Sequence, residues 1–220
     1  MNEPSPSPGL PAGERLLVID LEATCWEHGK TPPGQASEII EIGACEVDIA
    51  TPSVIAGSKT SIIVKPRRSS VSQYCETLTG LTQDIVDKGV SFDEACHVLA
   101  SRFKPRAWCS WGEYDRKMMV RQCKAWKIPF PLPVFHVNLK ERFATLGGSR
   151  KQVGMAKALA RLGMPLEGRH HRGHDDAWNI ARIATWMIST HGRDQVVVAS
   201  PVNGNRDGTT SARDASQRFK

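Results

Sequence analysis

Residues 16–24 read Leu16-Leu17-Val18-Ile19-Asp20-Leu21-Glu22-Ala23-Thr24, an apolar run interrupted twice. Without Asp20 and Glu22 it would be an ordinary buried central strand. Strand side chains alternate between faces, so these two carboxylates share one face, two residues apart. Like charges held side by side on a buried strand are costly unless a cation neutralises them. The stretch therefore predicts a central strand that carries part of a metal site.

The neighbouring segments predict how that strand is housed. Apolar segments at 38–48 and 61–66, separated from it by turn-rich stretches, predict two more strands in an antiparallel meander. A helical pattern covers 71–88, broken at Gly80. Ser91 followed by Glu94 forms a capping box that opens a helix over 92–104. A strand at 107–111, a helix at 115–126, a strand at 133–138 and helices at 139–146, 151–162 and 175–190 complete the chain. Strands first, then strand–helix alternation, predict an α/β fold: a mixed sheet flanked by helices.

Composition narrows the class of protein. The chain has 220 residues, 40% hydrophobic and 24% charged, ordinary for a globular α/β domain. One domain is expected over 14–199. Residues 1–13, rich in Pro, Ser and Gly, and the polar stretch 200–220 are expected to be disordered tails. A net charge of +6 leans toward anionic partners such as nucleic acid. The six cysteines include no Cys-x-x-Cys pair and no close Cys/His cluster, which argues against structural zinc. No signal peptide or membrane-length apolar run is present. The expectation is a protein of the reducing cytoplasm with no membrane partner and no obligate protein partner.

Two more aspartates stand out. Asp115 lies on the same helical face as Met119, Cys123 and Trp126, and Asp176 lines up with Ile180, Ile183 and Met187. Each sits in the first turn of a helix, where the dipole favours an anion and an aspartate ordinarily serves as a cap. Caps do not explain four carboxylates all directed inward. Such a set of oxygen donors suits Mg²⁺ or Mn²⁺, and paired ions about 4 Å apart serve phosphodiester chemistry. The general base for an attacking water should be a histidine. Three lie in Arg169-His170-His171-Arg172-Gly173-His174-Asp175-Asp176. Asp176 is preferred to Asp175 because it lies on the Ile180/Ile183 stripe; spacing alone leaves the shifted pair His170/Asp175 open.

These residues resemble a known family. The chain is similar to the DEDDh 3′→5′ exonucleases of the DnaQ-like, ribonuclease H-like superfamily. Its first motif is matched by Asp20-Leu21-Glu22-Ala23-Thr24, its second by Asp115, and its third by His171 and Asp176. The finer resemblance is to the branch of the histone-mRNA 3′ exonuclease and the enhanced-RNAi exonucleases. It rests on DLEATCW (20–26), SEIIEIGA (37–44), YCETLTGLTQ (74–83), SWGEYDRKMM (110–119) and HHRGHDDAWNIARIA (170–184).

The resemblance implies a ribonuclease H-like five-stranded mixed sheet and two Mg²⁺, with Mn²⁺ able to substitute. It implies Asp20, Glu22, Asp115 and Asp176 as metal ligands and His171 as the base. It also implies substrate contacts: Ala23 and Thr24 at the terminal 3′-hydroxyl, and Leu78 against the terminal base. Trp111 or Tyr114 would stack on a base, although core packing is an equal role for Trp111. Arg172, beside the catalytic histidine, is the expected phosphate contact, with further basic pairs at Arg67/Arg68 and Arg150/Lys151. His174 departs from the branch, which carries an apolar or small residue there. The histone-mRNA enzyme of that branch has an added nucleic-acid-binding module before its nuclease domain, where this chain is expected to carry only a short disordered tail, so simpler single-domain relatives are the expected comparison.

The implied activity is metal-dependent hydrolysis of single-stranded RNA from the 3′ end, releasing nucleoside 5′-monophosphates. RNA is expected ahead of DNA, although the motifs do not read a 2′-hydroxyl. A DNA exonuclease of the proofreading or repair type is one alternative. A regulatory binding protein on the same fold is the other.

Overall fold

A computed structural model describes residues 15–199. The expected tails and Glu14 lie outside the described residues. The sheet is built from β1 (Arg15–Ala23), β2 (Ile39–Asp48), β3 (Ser53–Ile63), β4 (Ala107–Ser110) and β5 (His136–Asn138), in the order β3-β2-β1-β4-β5. The first three strands pair antiparallel, as the meander predicts, while β4 and β5 add in parallel on the other side of β1. This is the five-stranded mixed sheet the resemblance implies, with β1 at its centre.

The helices are α1 (Gln73–Thr79), α2 (Gln83–Asp87), α3 (Phe92–Phe103), α4 (Tyr114–Trp126), α5 (Leu139–Leu146), α6 (Met155–Arg161), α7 (Gly173–His191) and α8 (Arg193–Val196). The alternation along β1 divides the core. Leu16 and Val18 face α7, where they pack with Ala177, Ile180, Ala181 and Ala184. Leu17, Ile19 and Leu21 face Phe92, Leu99, Met118 and Met119 of α3 and α4. Each fully buried Leu or Ile contributes on the order of 1.5–3 kcal/mol. Asp20 and Glu22 continue the Leu16/Val18 register and so lie on the α7 face, at the carboxyl end of β1.

Several boundaries differ from the sequence reading. The predicted helix 71–88 is two helices: Gly80 closes α1 at φ 71°, and the Thr82 hydroxyl caps α2 by accepting the Ile85 N–H (3.2 Å). The third strand starts at Ser53 rather than 61. Its Gly57 and Ser58 read as a turn but lie within the strand, at a bulge between Ala44 and Glu46 where the Ser58 hydroxyl accepts the Glu46 N–H. The last strand is short because Pro131 and Pro133 cannot donate to a ladder. The sixth helix begins at Met155 after Gly154, and the 3-10 turn Glu27–Gly29 and α8 were not anticipated. The capping box at Ser91 and Glu94 forms as predicted.

One crossing brings the site together. Gly43 of β2 lies opposite Asp20. A side-chain carbon at Gly43 would stand 1.9 Å from the carbonyl carbon and oxygen of Gly173. One at Gly173 would stand 3.1 Å from Gly43 N and 3.2 Å from Asp20 O. Two bare backbones let the first turn of α7 lie directly on the sheet, beside the end of β1.

Candidate active site

The β1 carboxylates Asp20 and Glu22 are buried, as are Asp115 and Asp176. One carboxylate oxygen from each of Asp20, Glu22 and Asp176 lies within 4.8 Å of the other two. Asp115 arrives from the first turn of α4 and does not cap its own helix. Its Oδ1 accepts the Leu21 N–H (3.1 Å), the amide between the two β1 carboxylates. Asp175 points elsewhere, to Lys59 Nζ (2.6 Å) and Arg169 N–H (2.9 Å). Asp176, the aspartate on the apolar stripe of α7, is thus the one that lies with the β1 carboxylates. Buried carboxylates at this spacing need a cation, and oxygen donors alone suit a hard divalent ion. The residues present fit such an ion.

His171 sits on the turn entering α7, at φ 66°, and its N–H donates to Asp176 Oδ2 (3.1 Å). Its ring stacks on that of His170, centroids 3.9 Å apart and planes 16° apart. His170 itself reaches Asp176, with Nδ1 3.0 Å from Oδ2. His174 turns away from this group. Its Nδ1 lies 2.8 Å from Glu41 Oε1, and its Nε2 lies 3.4 Å from Asp175.

Glu41 is the residue that sequence reasoning missed. It lies opposite Glu22 on β2 and is fully buried. Its carboxylate accepts from the Ser61 hydroxyl (2.6 Å), Arg172 Nε (3.2 Å), Gly173 N–H (3.0 Å) and the His174 ring. Burial alone would raise its pKa. Hydrogen bonds from His174 and Ser61 and the Arg172 charge outweigh that and bring it from 4.5 to about 2. Glu41 thus stays ionised and clamps the first turn of α7 from a neighbouring strand. The signal was visible in Ile39-Ile40-Glu41-Ile42, an apolar strand interrupted much as β1 is.

The expected substrate contacts are placed as follows. Thr24 is buried, its N–H donates to Glu38 O (2.8 Å), and its hydroxyl bridges Ala36 O and Glu38 N. Ala23 is adjacent, and its carbonyl accepts from Cys75 Sγ (3.6 Å). Trp111 is half-buried, its indole N–H bonded to Val153 O (3.0 Å) and its ring against Phe143, the packing role weighed for it. Tyr114 is half-buried at the start of α4, and Leu78 half-buried in α1. Arg172 is anchored to Glu41. Arg67 pairs with Asp93 (3.2 Å) and lies over Trp126. The turn carrying the histidines is strapped to α1 by Arg169, whose Nη2 donates to Thr77 O (3.1 Å).

Sheet order and acidic cluster are the arrangement that the resemblance to the ribonuclease H-like exonucleases implies. The chain belongs to the exonuclease family, whose model matches residues 17–184. It is 30% identical over 218 residues to ERI1 exoribonuclease 2 of Mus musculus, covering 84% of this chain and 31% of that protein. It is 30% identical to 3′-5′ exoribonuclease 1 of Homo sapiens, covering 79% of this chain and 52% of that one. The chain thus spans between about a third and a half of the length of these curated relatives. The solved nuclease domain of 3′hExo, a DEDDh family member bound to rAMP, matches with a TM-score of 0.75 at 27% identity, covering 86% of this chain and 97% of that one.

Proposed function

We propose that this protein is a metal-dependent 3′→5′ exonuclease that shortens single-stranded RNA from its 3′ end and releases nucleoside 5′-monophosphates. The observation that carries the reading is the convergence of Asp20, Glu22 and Asp176 within 4.8 Å, with His171 on the turn that delivers Asp176. The choice of RNA is supported by the relatives named exoribonucleases and by the related nuclease domain bound to rAMP.

Asp20, Glu22, Asp115 and Asp176 would hold two Mg²⁺, with Mn²⁺ substituting. Such ions supply an activated water and neutralise charge at the leaving oxygen. The chain's own residues do the remainder. The Leu21 N–H fixes the Asp115 carboxylate. Glu41 and the Gly43/Gly173 contact hold the α7 turn at the right height over β1. His171 accepts the proton of the attacking water. Leu78 packs on the terminal base and Tyr114 stacks alongside. Of the two residues assigned to the 3′-hydroxyl, Ala23 carries the role, because the Thr24 amide and hydroxyl are engaged with Glu38 and Ala36. The cysteines form no disulfide among the described residues, which supports a reducing compartment such as the cytoplasm.

The test is digestion of matched 5′-labelled RNA and DNA oligonucleotides with Mg²⁺, Mn²⁺ or chelator. A ladder shortening from the 3′ end of RNA, absent with chelator and in Asp20→Asn, is expected. Activity unaffected by Asp20→Asn, or none in either metal, refutes it. Faster cleavage of DNA would reverse the substrate choice alone.

A further inference from the structure

The exonuclease reading uses one of the three histidines in residues 170–174. His174 is engaged by Glu41 and Asp175, and that leaves His170. Its Nδ1 lies 3.1 and 3.0 Å from the two carboxylate oxygens of Asp176. Its side chain is 39% exposed, so it is open to solvent on one side while it touches a carboxylate that is 4% exposed on the other. One ligand atom from each of His170, His171 and Asp176 lies within 4.8 Å of the other two. Two imidazoles and one carboxylate form a different donor set from Asp20, Glu22 and Asp176. Imidazole nitrogen favours zinc, cobalt and nickel over magnesium, whereas carboxylate oxygens favour magnesium and manganese.

We propose that His170, His171 and Asp176 form a second metal site, specific for zinc-class ions, and that filling it silences the nuclease. Three protein ligands and a water give the tetrahedral coordination zinc prefers. With metal–ligand distances of about 2.0–2.2 Å, ligand atoms in such a site stand roughly 3.3 Å apart. His170 Nδ1 and Asp176 already meet that spacing. The wider separations close by small side-chain rotations on a half-buried turn, the two rings splaying from their stack. Asp176 belongs to both donor sets, so a zinc ion held here draws it away from Asp20 and Glu22. The same ion occupies the imidazole of His171. Metal binding stands independently of the exonuclease reading; the silencing rests on it.

The decisive experiment separates the two sites. In Asp20→Asn/Glu22→Gln the oxygen site loses two ligands while the imidazole site keeps all three. Zn²⁺ affinity is measured by competition with a chromogenic chelator, and Co²⁺ geometry by its visible d–d absorption. One equivalent should bind with the strong bands of a tetrahedral ion, undisturbed by excess Mg²⁺. Adding His170→Gln, which retains a hydrogen-bond donor for Asp176 but not an imidazole, should weaken Zn²⁺ by about tenfold or more. Even loss of an outer-shell partner costs 10–100-fold. His170→Ala, with folding checked by circular dichroism, provides a second variant. No zinc bound in the double variant, or affinity indifferent to both His170 changes, overturns the site and leaves His170 as a hydrogen-bond partner of Asp176. In the wild type, Zn²⁺ should inhibit Mg²⁺-supported hydrolysis, with the inhibition constant rising about tenfold in His170→Gln. Zinc that binds without inhibiting overturns the silencing alone. A protein that binds zinc but hydrolyses nothing overturns the exonuclease reading and leaves the metal site intact.

Discussion

Gly43→Ala adds one methyl group at the point where β2 meets α7. Gly43 has no unusual backbone angle, so the effect is one of space alone. The new carbon would stand 1.9 Å from Gly173 C and O and 2.4 Å from His174 N, all backbone atoms. Contacts of real side-chain carbons do not fall below 3.0 Å, so the start of α7 must retreat from the sheet by just over 1 Å. That retreat stretches the Gly173 N–H bond to Glu41 and carries His171 and Asp176 away from Asp20 and Glu22. A misplacement of about 1 Å in a catalytic group can cost on the order of 100-fold in rate, and overpacking of this kind costs about 1–3 kcal/mol of stability. Gly57→Ala is the control, since nothing lies within 4 Å of its added carbon. Both variants are assayed by single-turnover digestion of a 5′-labelled RNA and by urea unfolding. The expected result is a loss of about 100-fold in rate and 1–3 kcal/mol for Gly43→Ala, and neither for Gly57→Ala. A Gly43→Ala protein with wild-type rate and stability would refute the claim that this crossing sets the position of the proposed metal ligands.

Three further outcomes are expected. His171→Ala should lower the hydrolysis rate by about 10²–10⁴-fold, the range for loss of a general base, while oligonucleotide binding measured by fluorescence anisotropy persists; full activity would refute the assignment. Glu41, held at about 2 against an ordinary 4.5, contributes stability that is present above pH 4.5 and is lost as the pH falls toward 2. At 1.36 kcal/mol per unit this is about 3 kcal/mol, so Glu41→Gln should be less stable at pH 7 and show a flatter acid-denaturation profile in that window. An unchanged profile counts against the clamp. Gly80→Ala forces a side chain into the left-handed region at φ 71° and pushes it to 2.0 Å from the Arg169 guanidinium. It should lower stability by about 1 kcal/mol and, by breaking the strap to Thr77, raise the hydrogen-exchange rate of the 169–172 turn; unchanged exchange would show that Arg169 does not secure the turn.

Much of this protein is written in local pattern. Asp20 and Glu22 were legible because two charges in an apolar strand violate a simple rule. Asp176 could be told from Asp175 because helical periodicity placed one on the core stripe and the other off it, and Asp115 stood on such a stripe as well. The mixed α/β character of the sheet followed from strand-then-helix alternation, and its five-stranded form from the family resemblance. Other features were not legible because they depend on what meets across long separations. Nothing near Glu41 announces that Arg172, Gly173 and His174 are its partners, more than 130 residues away. Gly43 looks like any strand glycine until Gly173 is set against it. Trp111 was open between stacking and packing until Val153 O took its indole N–H. The roles of the three neighbouring histidines could not be separated by spacing either, because a positive φ at His171 decides which way each ring leaves the turn. The sequence by itself determined the fold class, the inward carboxylates and the stripes that aim them, since periodicity and burial cost are properties of single segments. Only the tertiary structure decided which backbones touch, which carboxylate clamps the α7 turn and which imidazoles share a carboxylate, because those depend on packing distances between elements far apart in the chain.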